Sequence, residues 1–111
     1  MILELTGDED GVGVLSAKGR LNMAAAPELR AAVAAAIGAG HRRLVLDLAE
    51  TGFMDSSGLG ALVGCLKAMR EAGGEIRLAN VGEQVRMVFE LSGVDRILLS
   101  YPSAGEAFGD G

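Results

Sequence analysis

The residues whose types and spacing could do chemistry gather in one short run, Asp55-Ser56-Ser57-Gly58-Leu59-Gly60. A serine hydroxyl can attack a substrate when a base stands beside it, or it can accept a group that another protein transfers. The first role calls for a Gly-x-Ser-x-Gly elbow or a histidine partner. Ser57 lies in no such elbow, and the single histidine, His41, precedes a buried strand at the end opposite Ser57. Gly58, Gly60 and Gly64 do not form a dinucleotide fingerprint, and Lys67 is not placed as in a phosphate-binding loop. One cysteine, Cys65, and one histidine, with acids mostly in a single turn, make a poor metal-ligand set. The expectation is a chain with no catalytic residues, no metal and no cofactor, in which Ser57 receives a modification.

The elements that must position this run follow from periodicity. Ile2, Leu3 and Leu5 alternate up to a Gly7–Gly11 turn holding Asp8, Glu9 and Asp10, and Val12, Val14 and Leu15 follow, which predicts a β-hairpin. Gly19-Arg20-Leu21-Asn22 then punctuates the chain. From Ala24 to about Ile37 the sequence is rich in alanine, with Pro27 where a first helical turn tolerates it. Leu29, Val33 and Ile37 recur every four residues, so that stripe should face a sheet, and Gly38 and Gly40 end the helix. Leu44-Val45-Leu46-Asp47-Leu48 is apolar on both faces apart from one carboxylate, the pattern of a central strand covered by helices.

After an expected loop from Ala49 to Asp55, a second helix runs from Ser57 to Glu71 on Leu59, Leu62, Val63, Leu66 and Met69, closed by Gly73-Gly74. Glu75 to Ala79 alternates as a strand, and Val85, Val88, Phe89 and Leu91 mark a short helix. Ile97-Leu98-Leu99 gives a last short strand, and Pro102 to Phe108 a fourth short helix. The succession is α/β: a mixed sheet of four to five strands flanked by about four helices, in one domain spanning residues 1–111.

Composition narrows the function classes. The chain has 111 residues, half of them apolar, and a net charge of -5, enough for one core and too little for two. Its ten basic residues are scattered apart from His41-Arg42-Arg43, and aromatic residues are 4% of the chain, so nucleic acid is not an expected partner. No run approaches the ~20 apolar residues of a spanning helix, and the start turns acidic where a signal peptide would be basic, so direct membrane insertion is not expected and the chain is placed in the cytoplasm. Cys65, among Leu62, Leu66 and Met69, reads as a buried thiol.

The run around Ser57 lies just past the carboxyl end of the buried strand, the edge of an α/β sheet where sites collect. Asp55, Ser56 and Ser57 can cap a helix by accepting from unpaired backbone N–H groups. Gly58 and Gly60 each cost up to ~1 kcal/mol against alanine inside a helix, so two in the first turn suggest close access to the backbone.

This run, preceded by Leu44 to Leu48, resembles the phosphorylation motif of the STAS family of anti-sigma factor antagonists. Gly19-Arg20-Leu21-Asn22 resembles the family's turn before its first helix, and Val88-Phe89-Glu90-Leu91-Ser92-Gly93-Val94-Asp95-Arg96 its later helix-to-strand segment. The resemblance implies a protein-binding switch and not an enzyme: an unphosphorylated antagonist captures an anti-sigma factor serine kinase and frees a sigma factor. The kinase then inactivates it at Ser57, and a phosphatase restores it.

The partner-binding residues so implied are Asn22, Met23, Asp55, Ser56, Ser57, Gly58, Leu59 and Gly60. Asn22 stands where many relatives carry aspartate, and its amide can cap the first helix or donate to a partner. Ser56 is given a structural role, and Met23 serves either as an adaptable apolar contact or as core. The same resemblance admits an alternative, a structural STAS subunit that clamps the ATPase of a membrane transporter.

Overall fold

The computed structural model describes residues 1–7, 11–96, 98 and 100–109. Five strands form one sheet in the order β1 (Ile2–Gly7), β2 (Val12–Leu21), β3 (Arg43–Met54), β4 (Glu75–Ala79) and β5 (Ser100–Tyr101). β1 runs antiparallel to β2, and every later pair is parallel, so the sheet is mixed with β3 at its centre. Three α-helices supply the crossovers: α1 (Ala26–Gly38), α2 (Ser56–Glu71) and α3 (Glu83–Ser92).

Alternation along β3 explains the layering. Leu44, Leu46 and Leu48 point to one face and join Leu29 and Val33 of α1, Leu62, Cys65 and Met69 of α2, and Val85 and Phe89 of α3 in the main core. Val45 points to the other face, where Val12, Ala79, Ala107 and Phe108 form a second, smaller cluster. Arg43 and Arg77 lie over the Phe108 ring at 5.2 and 4.4 Å from its centroid, and Arg77 donates to the Ala107 carbonyl at 2.8 Å. The helices therefore cover one face, and the C-terminal segment covers part of the other. Leu29 and Val33 are buried and Ile37 is half-buried, as the four-residue stripe in α1 requires.

The expected mixed α/β sheet is present, with differences of detail that have physical causes. β2 does not stop at Gly19: it continues to Leu21, and β3 continues to Met54 through the segment read as a loop. The two strands pair in parallel from Lys18↔Glu50 to Leu21↔Met54, with register shifts between Ser16 and Lys18 and between Gly19 and Arg20. At the first shift the buried Thr51 donates its hydroxyl to the Ala17 carbonyl at 2.8 Å, so a side chain completes the ladder where the bulge interrupts it.

α1 starts at Ala26, not Ala24, because Asn22 first makes a turn. In place of a fourth helix over Pro102–Phe108 there is one 3-10 turn, Ala104–Glu106. Leu98 is buried in the main core, and the strand beside it is Ser100–Tyr101; the expected strand positions Ile97 and Leu99, and the hairpin turn Asp8-Glu9-Asp10, lie outside the described residues.

Candidate functional site: the carboxyl ends of the central strands

Because β2 and β3 are parallel and end together at Leu21 and Met54, the two segments that follow them emerge side by side. The Asp55 N–H donates to the Leu21 carbonyl at 3.3 Å, extending the ladder by one bond beyond the strand. Asp55 is the N-cap of α2, with extended backbone, and its carboxylate accepts from the Gly58 N–H at 2.9 Å. The Asp55 carbonyl accepts the first intrahelical bond, from the Leu59 N–H at 2.9 Å. α2 thus begins at Ser56, one residue before the expected start.

Capping by Asp55 leaves the N–H groups of Ser56 and Ser57 without an acceptor inside the helix. Ser56 is exposed and Ser57 half-buried at the second helical position. Among the described residues no side chain is hydrogen-bonded to the Ser57 hydroxyl. His41 stands at the amino-terminal end of β3, the whole strand away, on the order of 30 Å at the rise of extended chain.

Across the strand ends, the Asn22 side-chain carbonyl accepts from the N–H groups of Ala24 and Ala25, both at 3.1 Å. Its backbone carbonyl accepts from Ala26 at 2.9 Å. Asn22 therefore caps the turn that leads into α1, while the helix's own N-cap residue is Ala25. Met23 is 76% exposed, so of its two expected environments the structure selects the surface.

Two glycines read together in the sequence separate in the structure. Gly58 is buried, and a Cβ there would collide with the Leu21 carbonyl oxygen and lie 2.8 Å from Leu21 Cγ. The close approach to the backbone that the sequence suggested at Gly58 is made by Leu21 of the same chain. Gly60 is exposed with nothing near its Cβ position, and Leu59 is half-buried against the core.

The sequence pattern passed over Gln84, which the structure places at the site. From the first turn of α3 its carboxamide accepts from the Met54 N–H at 2.8 Å and donates to the Met54 carbonyl at 3.0 Å. Arg20 and Phe53, paired across β2 and β3, form a second feature that the sequence did not show, the guanidinium lying 4.3 Å from the ring centroid. Neither contact has a local signature, because each joins residues distant in sequence.

Elsewhere, a groove of about 400 Å³ between α1 and α2 is lined by Val33, Ile37, Cys65 and Ala68 among others, and it includes none of the residues around Ser57. Burial pushes the Cys65 thiol up to about 11, against a smaller opposing effect of Arg30. Among the described residues no group of three His, Cys, Asp or Glu side chains could hold a metal ion, and no helix is long and apolar enough to cross a membrane.

Comparison with known proteins agrees with the fold. The Bordetella bronchiseptica protein BtrV, described as an anti-sigma factor antagonist, is 38% identical over 92 residues, covering 82% of this chain and 79% of BtrV. A Thermotoga maritima protein described in the same way has a crystal structure that superposes with a TM-score of 0.88 at 27% identity, over 97% of this chain and 92% of that one. The phosphorylated form of the Bacillus cell fate determinant SpoIIAA superposes with a TM-score of 0.73 at 25% identity, over 98% of each chain. The sequence profile of the STAS domain matches residues 6–107, and with this architecture beneath it the chain belongs to the STAS domain family.

Proposed function

We propose that this chain is an anti-sigma factor antagonist: unphosphorylated, it binds an anti-sigma factor serine kinase in the cytoplasm and releases a sigma factor, and phosphorylation of Ser57 switches the binding off until a phosphatase restores it. The observation that carries this reading is the state of Ser57. Ser57 is half-buried at the second position of α2, beside two backbone N–H groups with no intrahelical acceptor, and among the described residues no side chain is hydrogen-bonded to its hydroxyl. The family membership and the descriptions of BtrV and the Thermotoga protein support the role of antagonist. That SpoIIAA exists in a phosphorylated form supports the modification.

The physics of such a switch is simple. A phosphoserine brings about -1.5 to -2 charges and three acceptor oxygens. Within the domain the phosphate meets the positive end of α2 and the free N–H groups of Ser56 and Ser57, so it is solvated locally and the fold is retained. Against a partner packed on the same surface it adds bulk and requires desolvation of charge. A loss of only ~3 kcal/mol weakens binding more than a hundredfold. In this reading Asn22, Met23, Ser56, Leu59 and Gly60 make the partner surface together with Ser57, and Asp55 and Gly58 shape it from within the chain.

The test is to incubate the chain with native lysate and ATP and to map phosphate by mass spectrometry, beside a Ser57→Ala control. Incorporation confined to residue 57 and abolished in the control is expected. Capture of one transporter ATPase by the wild type and by Ser57→Asp alike would instead favour the structural-subunit alternative.

A further inference from the structure

The strand that delivers Ser57 outruns its neighbour. β4 pairs with β3 only from Arg43↔Glu75 to Asp47↔Ala79. It ends there because Asn80, at φ 57°, turns the chain toward α3. β3 nevertheless continues to Met54, so its last residues have β2 on one side and, among the described residues, no strand on the other. Met54 is buried, and the N–H and C=O of a residue in a parallel strand point to the same side. Left alone, both groups of Met54 would be buried without partners, immediately before the residue that caps α2.

Gln84 fills that place. A primary carboxamide carries a carbonyl acceptor and an N–H donor in one plane, as a peptide group does. The Gln84 side chain makes both bonds that a neighbouring strand would make, at 2.8 and 3.0 Å. The orientation of the amide is fixed by this pairing, since the reverse assignment would set donor against donor and acceptor against acceptor. We propose that Gln84 is a positioning residue of the Ser57 site: it clamps the end of β3 in register so that Asp55 reaches the Gly58 N–H and Ser57 is held at the start of α2. It also ties α3 to that site, so the first turn of α3 and the serine move as one body. The inference rests on the reading of Ser57 as the modified residue, and its test has one arm that does not.

That arm is native-state amide exchange of the full chain as wild type, Gln84→Met and Gln84→Ala. Methionine keeps the length and packing of the side chain while removing both hydrogen bonds. Gln84→Met is expected to speed exchange of the Met54 and Gly58 amides at least tenfold, with the amides of Leu44, Val45 and Leu46 exchanging as in the wild type. If Gln84→Met matches the wild type while Gln84→Ala does not, Gln84 acts by bulk alone and the proposal falls. A uniform acceleration at every amide would also overturn it.

In the second arm, native lysate with radiolabelled ATP phosphorylates each variant, and the initial rate at Ser57 is expected to fall at least threefold in Gln84→Met. An unchanged rate beside a local loss of protection overturns the role at Ser57. No incorporation at Ser57 even in the wild type contradicts the phosphorylation reading itself, and the exchange arm then decides the clamp.

Discussion

Gly58, in the first turn of α2, rests on the backbone of Leu21 at the end of β2, so closely that a side chain at 58 would collide with the Leu21 carbonyl oxygen. That contact fixes how near the α2 start can approach the turn at Asn22. Gly58→Ala must push helix and strand apart, which costs about 3 kcal/mol, the upper end for overpacking a closed site. Urea denaturation reads this directly. A change below about 1 kcal/mol would mean that the two elements do not meet as described.

Gly60 gives the opposite expectation. Nothing lies within 4 Å of its Cβ position, so Gly60→Ala removes only the entropic penalty of glycine in a helix. The domain should gain about 0.5–1 kcal/mol in the same experiment. If Gly60 lies under the bound kinase, as the functional proposal has it, the variant gains stability while losing affinity, two effects that a purely structural glycine would not separate.

Asp55→Ala removes the side-chain cap of α2 and should destabilise the domain by about 1 kcal/mol, with Asp55→Asn restoring most of the loss. Thermal melts of the three proteins test it. Equal destabilisation by Ala and Asn would assign the effect to charge and not to the hydrogen bond with Gly58.

Thr51→Val keeps the shape of a buried side chain but leaves the Ala17 carbonyl without the hydroxyl that bonds it at the bulge. The expected cost is about 1–3 kcal/mol, and Thr51→Ser should retain the larger part of the stability because it retains the donor. Denaturation midpoints that rank Ser below Val would contradict this account of how the β2–β3 ladder is completed.

The Cys65 thiol predicts a pH dependence. Its ionisation moves from 9.0 in an ordinary thiol to about 11 in the folded chain, because burial disfavours the thiolate. Between those values the unfolded chain has released the proton and the folded chain retains it, so stability is complete below pH 9 and falls as pH rises toward 11. The loss is about 2 kcal/mol. Cys65→Ala removes this component, so the difference in pH dependence between the two proteins, followed by urea titration, isolates it from other groups that ionise in alkali.

Much of this architecture is visible in local pattern. Alternation gives β1 and the first half of β2, four-residue spacing gives the buried stripes of α1 and α2, and the run Asp55-Ser56-Ser57 gives the candidates for the cap, among which the structure selects Asp55. The extension of β3 is not visible, because Ala49-Glu50-Thr51-Gly52 has no apolar period and Thr51 is its one strand-favouring residue. Pairing with β2 and the Thr51 bond to Ala17 hold it extended, and both are tertiary. Gly58 reads as an access point in sequence because a helix-interior glycine looks expensive wherever it occurs. Only the position of Leu21 shows what the glycine admits. Gln84 escapes for the same reason, since a glutamine in a first helical turn looks like solvated surface until Met54 is placed opposite it. Ser57 is singled out by its motif alone, while the N–H donors beside it depend on where α2 starts.

The central claim is that Ser57 governs association without governing the fold. It is tested most directly by measuring the affinity of the captured anti-sigma kinase for the chain in its unphosphorylated and Ser57-phosphorylated forms, with a melt of each form alongside. The account predicts binding at least a hundredfold weaker after phosphorylation and melting temperatures within a few degrees of each other. Equal affinities would contradict it, and so would a loss of binding that merely follows unfolding of the phosphorylated domain.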